Sequence, residues 1–327
     1  MRQLARAWIF GCGYLGAPLL ARWVAAGVEV TAFTRSAEKA ARLVDRGARG
    51  VELAGELDAV LPSEPADVVV WAVGFDRSST REEAWLGGLD RLSAALGRRR
   101  DSPRVLYVST TGVYGDAGGG AIDEATPPAP SSEGGRVALL AEERVRAFAR
   151  ESCAIRLAGI FGPGRLLQKI DEVRRGLVLR SPPEHWLNLV HVDDAVTLVD
   201  AVARAPEMPS IVNGAMADTP TRRRYYEALA KTLGAPAPRF EPPAESASGA
   251  SARSEPVPKA PGLRGAQTWR PGSEGLLGRV GTSRQGEESA SNRRVVSTVR
   301  AQLCDFRYED VEAALEAVRA GTITSAS

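Results

Sequence analysis

Gly11, Gly13 and Gly16 stand in the spacing G-x-G-x-x-G, and Thr34-Arg35-Ser36 follows about 20 residues later, a combination suited to holding a phosphorylated nucleotide. In such a turn the first glycine permits the tight bend and the second lets the backbone approach a pyrophosphate. The third lets the following helix pack closely on the preceding strand. Tyr14 and Leu15 open that helix, so their N–H groups and the positive end of the helix dipole face the phosphates. The end of the next strand then selects the nucleotide. An acid there binds the ribose 2′-hydroxyl and repels a 2′-phosphate, whereas an arginine fork holds that phosphate through paired charge-assisted bonds. Arg35, with Thr34 or Ser36 beside it, therefore favours NADP over NAD, the competing reading being a solvated arginine at a strand end. Ala72 and Gly74, closing an apolar run, are the small residues expected to leave room for the cofactor.

A strand and a helix must carry such a turn, and both are written in the flanking sequence. Ala7-Trp8-Ile9-Phe10 is a short apolar run, and Leu15, Leu19, Leu20, Trp23 and Val24 recur with the helical period. Val28 to Phe33 alternates like a strand, residues 37–46 read as a helix, Gly50 to Leu53 as a third strand, and Asp67 to Val73 as a buried parallel strand. A helix over 81–97 and a fifth strand, Arg104 to Ser109, continue the pattern. Strands and helices alternating at this spacing predict an α/β fold with a Rossmann-type doubly wound parallel sheet, its ligands at the carboxyl ends of the strands. Residues 1–150 are the expected nucleotide-binding domain.

The formal net charge of +2 over 327 residues creates no strong field, so neither nucleic acid nor a membrane surface is an expected partner. Cys12, Cys153 and Cys304 are far apart and odd in number, which argues against a disulfide framework or a metal-ligand cluster and fits a reducing cytoplasm. Arg2 and Arg6 ahead of an apolar run have the outline of a signal peptide, but the glycine turn and Arg22 interrupt it. No stretch reaches the roughly 18 uninterrupted apolar residues that a membrane span needs.

Further blocks follow the glycine turn in order: Ser109-Thr110-Thr111-Gly112-Val113-Tyr114-Gly115-Asp116 with Asp123-Glu124 and Pro127, then Ile155 to Arg165, then Asn188 to Ala195. Together they resemble the extended short-chain dehydrogenase/reductase superfamily, in its NAD(P)-dependent epimerase/dehydratase group, over most of residues 7–235. The G-x-G-Y-L-G start and the R-L-A-G-I-x-G-P-G-R block look most like an atypical, nucleoside-diphosphate-sugar epimerase-like subgroup. The resemblance implies a smaller C-terminal substrate lobe and a small-molecule substrate, with a nucleotide sugar as the candidate class and a homodimer among the candidate assemblies.

Family members pair a tyrosine with a lysine four residues later: the phenol moves a proton at the substrate oxygen while the ammonium lowers its pKa. The matching positions here are Gly134 and Ala138, and no tyrosine of the chain is followed by lysine at that spacing. Thr110 matches the family's Ser/Thr that hydrogen-bonds the substrate, and Tyr114 is the alternative proton donor. Capping a turn and packing are their respective competing roles. Arg156 and Arg165 are candidates for gripping phosphate or carboxylate, a surface salt bridge being the alternative for each. His191 reads as structural, and Asp193 and Asp194 as caps of a helix from Ala195 to Arg204.

Residues 151–327 are expected to supply the last sheet strands interleaved with the substrate lobe. A Pro-, Ser- and Gly-rich stretch, 241–288, reads as an insertion or flexible loop. Beyond it, Arg293 and Arg294 are placed by the resemblance near a substrate phosphate, with a helix-start charge cluster as the alternative. Two functions stand at this point: an NADP-dependent enzyme of epimerase or reductase type, acting on a hydroxyl or carbonyl carbon with unconventional proton transfer, and a protein that binds NADP without turnover as a sensor or structural ligand.

Overall fold

Alternating side chains in the first strand set the layers. In a computed structural model of the chain, which describes residues 1–53, 56–73, 86–99, 102–165, 170–241 and 292–324, Ala7 and Ile9 point into one apolar layer while Trp8 and Phe10 point into the other. The first half runs β1 (Arg6–Phe10), α1 (Gly16–Ala25), β2 (Glu29–Thr34), α2 (Ala37–Val44), β3 (Arg49–Glu52), α3 (Leu57–Val60), β4 (Val68–Trp71), α4 (Gly88–Arg99) and β5 (Arg104–Thr110). The second half adds β6 (Ala121–Ile122), α5 (Glu133–Phe148), β7 (Ser152–Leu157), β8 (Gly159–Phe161), α6 (Ile170–Arg174), β9 (Val178–Leu179), β10 (Leu189–His191), α7 (Val192–Arg204), β11 (Ile211–Gly214), α8 (Arg222–Leu233), β12 (Arg239–Phe240), β13 (Arg294–Val295) and α9 (Val311–Thr324).

Seven parallel strands form the central sheet in the order β11-β7-β5-β4-β1-β2-β3. The chain reverses its direction of growth between β3 and β4, so the crevice above β1 and β4 is the switch point where such sheets bind ligands. On one face, α1 and α7 bury Leu19, Leu20, Trp23, Val196, Val199 and Val202. On the other, α4 and α5 bury Leu89, Leu92, Leu96, Val137, Ala141 and Val145. A third apolar centre, with Phe161, Val173, Tyr225, Leu229, Val311 and Leu315, joins α6, α8 and α9 outside the sheet. Burying these side chains is the main favourable term for each layer, at about 1.5–3 kcal/mol per large apolar residue.

The segment that resumes at Asn292 is bound like a strand. Arg294 N–H donates to Gly120 O (2.9 Å) and Val296 N–H to Ile122 O (2.9 Å), pairing β13 with β6. On its other side the amide of Asn188 mimics a strand edge, with Nδ2 donating to Arg293 O (3.0 Å) and Oδ1 accepting from Val295 N–H (2.7 Å). Arg293 and Arg294 therefore lie at a strand rather than at the start of a helix.

Several expected boundaries shift. Of the helix expected over 81–97 only residues 86–97 are described; α4 begins at Gly88 and continues to Arg99. The final helix, expected from Glu309 to Val318, is α9 from Val311. Gly74 and the stretch 242–288 lie outside the described residues. No helix among the described residues is long and apolar enough to cross a membrane.

Candidate active site and nucleotide cleft

A doubly wound sheet takes its ligands at the carboxyl ends of its strands, and here the glycine turn joins β1 to α1 at that edge. Gly11 adopts φ +94°, and a Cβ there would stand 2.3 Å from the carbonyl oxygen of Ala72, so the turn closes against β4 only with glycine. A Cβ on Gly16 would stand 2.3 Å from Gly11 O, which is why α1 begins so close to β1. Gly13 differs, since no atom lies within 4 Å of where its Cβ would be. Its bare backbone faces open space, the condition for a pyrophosphate to approach. No side chain caps α1 at Leu15, and no acid sits in its first turn, so the positive end of the helix is left to an external anion.

Arg35 follows β2 as an exposed side chain, with Thr34 half-buried beside it. Ser36 is occupied differently from the expectation: its Oγ accepts from Lys39 N–H (3.3 Å) and caps α2. Cys12 in the turn is a thiol, pushed up to about 12 by burial against the smaller opposing pull of Arg46. Among the described residues no cluster of His, Cys, Asp or Glu could hold a metal ion.

Thr110 ends β5 at the cleft, and its Oγ1 accepts from Gly112 N–H (3.0 Å), capping the short turn Thr111–Val113. That bond uses a lone pair and leaves the hydroxyl proton to donate to a substrate oxygen. Tyr114 is not in the cleft. It is 1 % exposed, its Oη donates to Asn213 Oδ1 (3.0 Å), and burial raises its pKa against the opposing influence of Arg156 and Asn213. A phenol so placed does not reach a bound substrate, which corrects its expected role as proton donor. Gly134 lies in the first turn of α5, and Ala138, one turn on, is fully buried in the core.

Arg156 is likewise turned inward. It makes a buried two-pronged pair with Glu142, through Nη2 to Oε2 (2.7 Å) and Nε to Oε1 (3.0 Å), and stands 4.8 Å over the Tyr114 ring. Ser109 Oγ donates to the same carboxylate (2.5 Å). The expectation that Arg156 grips substrate fails for this reason. Arg165 remains exposed, its guanidinium 5.3 Å from the Tyr14 ring. Arg293 is buried, Nη2 donating to Thr111 O (3.0 Å) and Nη1 to Gly115 O (3.2 Å), so it braces the Thr110–Tyr114 stretch from behind.

Residues that sequence reasoning left aside complete the bracing. Glu124 accepts from Asn213 N–H (2.9 Å), Thr298 N–H (3.0 Å) and the Ser297 hydroxyl, tying β11 and the returning segment to the loop after β6. Burial alone would raise its pKa, but the bonds from Ser297, Asn213 and Thr298 outweigh burial and hold it below the usual range. The cap of α7 is also reassigned: His191 Nδ1 accepts from Asp193 N–H (3.2 Å), while the carboxylate of Asp194 takes Arg307 N–H (2.7 Å) and Tyr308 N–H (3.0 Å).

His191 is 2 % exposed, between Phe161 and Tyr308. Burial lowers its pKa; Asp193, 3.6 Å away, opposes this and Arg307 reinforces it. The neutral form is thus favoured by folding, whereas the unfolded chain takes up the proton below about 6.5. This contribution to stability is complete above pH 6.5 and is lost as pH falls from there through the folded pKa. Thermal melts between pH 7.5 and 5 should show a fall in melting temperature that is shallower in His191→Asn, which keeps a cap; equal slopes would refute the assignment.

The family model of the NAD dependent epimerase/dehydratase family matches residues 8–213. Protein YeeZ of Escherichia coli (strain K12) is 32% identical over 254 residues, covering 74% of this chain and 88% of that protein. A dTDP-6-deoxy-L-talose 4-dehydrogenase (NAD(P)(+)) of Kitasatospora kifunensis is 28% identical over 262 residues, covering 73% of this chain and 82% of its own. Among solved structures, the human epimerase family protein SDR39U1 (isoform2) with NADPH superposes with a TM-score of 0.66 at 16% identity, covering 96% of this chain and 99% of the other.

Proposed function

Since the chain belongs to the NAD dependent epimerase/dehydratase family, we propose that it binds NADP in preference to NAD and uses it on a hydroxyl or carbonyl carbon of a nucleotide sugar. The observation that carries the reading is the glycine turn, closed against Ala72 at Gly11, open at Gly13 and followed by an uncapped helix. Residues 1–150 supply the nucleotide cradle, and the C-terminal lobe closes the substrate side. A bound nicotinamide supplies or accepts hydride. The chain's part is to seat the pyrophosphate on Gly13, Tyr14 and Leu15 and to hold the 2′-phosphate with Arg35. Thr110 donates its hydroxyl proton to the substrate oxygen. With glycine and alanine at 134 and 138 and Tyr114 committed to Asn213, the proton in this reading travels through water.

A ligand that binds only the folded state stabilises it by RT ln(1 + [L]/Kd), so at equal concentration the tighter ligand raises the melting temperature more. NADPH should therefore shift the transition more than NADH does, and Arg35→Gln should erase that difference by weakening NADPH about 10-fold while leaving NADH unchanged. An equal response to both nucleotides in the wild type would remove the preference for NADP. The relative acting on a dTDP-sugar and the relative solved with NADPH support the choice of ligands to try.

One observation favours a second reading, in which NADP is a structural or sensed ligand without turnover: the position of the family's lysine is an alanine sealed in the core. Oxidation of NADPH with a panel of 4-keto nucleotide sugars separates the two. Turnover lost in Thr110→Val supports the enzyme; tight NADPH binding with no turnover on any member supports the sensor.

A further inference from the structure

The turn Gly162–Arg165, which follows β8, packs against Tyr14 of the glycine turn. It is closed by Arg165 N–H to Gly162 O (3.0 Å) and Gly162 N–H to Arg165 O (3.1 Å). Tyr14 Oη donates to Pro163 O (3.1 Å), linking residues 149 apart in sequence. The approach depends on the missing side chain at Gly162, where a Cβ would stand 2.8 Å from Tyr14 Oη. The Arg165 guanidinium rests 5.3 Å from the Tyr14 ring, and among the described residues no carboxylate pairs with it. A cation over an aromatic face is favourable and directional, so the ring holds the charge where the turn places it.

Tyr14 immediately precedes Leu15, the uncapped end of α1, so the guanidinium is held beside the residue that opens that helix. An exposed arginine without a carboxylate partner, aimed by a residue of the glycine turn itself, has the chemistry of a counter-charge for an anion seated on that turn. We propose that Arg165 binds the cofactor's pyrophosphate, not a substrate group, and that Tyr14 is its positioning residue. The proposal rests on the NAD(P) reading above. The nucleotide is then held from both sides: backbone N–H groups of the turn on one, a guanidinium reaching across on the other. Because the phosphates are common to both nucleotides, this contact adds affinity without selecting between NADP and NAD, in contrast to Arg35.

Isothermal titration of the full chain with NADP+, NAD+, adenosine 2′-monophosphate and UDP-glucose tests it. Arg165→Gln is expected to weaken NADP+ and NAD+ by the same factor, about 10-fold, and to leave adenosine 2′-monophosphate, which lacks the pyrophosphate, unchanged. The loss should shrink at high salt, since the guanidinium is exposed. Tyr14→Leu should reproduce most of the loss and Tyr14→Phe, which keeps the ring, little of it. Combining Tyr14→Leu with Arg165→Gln should add little further, which a purely structural role for Tyr14 would not give. Unchanged affinity for both dinucleotides in Arg165→Gln, or a loss confined to UDP-glucose, overturns the proposal while leaving the NAD(P) reading intact. A wild type that binds neither dinucleotide overturns both.

Discussion

Gly13→Ala is expected to leave the melting temperature within about 1 °C of wild type and to weaken NADP(H) by on the order of 100-fold. The two halves of this result come from one observation. Nothing lies within 4 Å of a Cβ at Gly13, and its backbone is not in the left-handed region, so the folded chain accepts a methyl group there. The same open space is where a pyrophosphate must come into contact with backbone N–H groups. A methyl group holds it off and weakens charge-assisted bonds worth about 1.5–3 kcal/mol each. Gly11→Ala is the contrast: its Cβ meets the Ala72 carbonyl at 2.3 Å at a positive φ, so the fold itself is damaged. Calorimetric titration beside thermal melts decides the matter. If Gly13→Ala bound NADP(H) as tightly as wild type, the phosphates would have to sit elsewhere.

Arg156→Met should be the most destabilising single change in the sheet, lowering stability by about 3–5 kcal/mol and the melting temperature by roughly 5–10 °C. Glu142 and Arg156 are both almost wholly inaccessible to solvent, and removing one partner strands the other charge in the core. Adding Glu142→Gln should recover most of the loss. The amide is neutral and still offers an oxygen to Ser109, and a neutral pair of similar volume frequently equals a buried ion pair in stability. Urea denaturation of the wild type and the two variants checks it; a double variant no more stable than Arg156→Met would mean that the cost is one of packing rather than of stranded charge.

The class of the sheet was legible because apolar strands alternating with helices at this spacing point to a doubly wound parallel arrangement. The glycine turn was legible because three bare positions have three separate steric reasons. Tyr114 and Arg156 misled for a common reason. Both stand near strand ends, where sequence cannot tell a side chain rising into the cleft from one turned beneath it. A signal existed in the second case. Glu142 interrupts the buried stripe Val137, Ala138, Ala141 and Val145 of α5, and Arg156 interrupts Ile155 and Leu157 of β7. An acid and a base, each out of place in a neighbouring apolar element, are best read as each other's partner. His191 could not be recognised as a cap because its role depends on a single ring nitrogen facing Asp193 N–H. The bracing by Glu124 and Asn188 joins residues 89 to 174 positions apart and follows no local pattern.

Arg104, the first residue of β5, is a buried arginine at the far end of that strand. Its Nη1 donates to Ala205 O (2.5 Å) and its Nη2 to Pro206 O (3.0 Å), while Nε pairs with Glu151 (2.9 Å). The sheet thus has two unlike poles. One terminates a helix against a fixed internal cation; the other presents a helix mouth with its polarity unanswered. Damage at the first pole should reach solution behaviour as a less durable protein of ordinary ligand appetite, and damage at the second as a durable protein that has lost its appetite. Plotting melting temperature against nucleotide affinity across a random variant library would therefore sort lesions by the end of the molecule they strike.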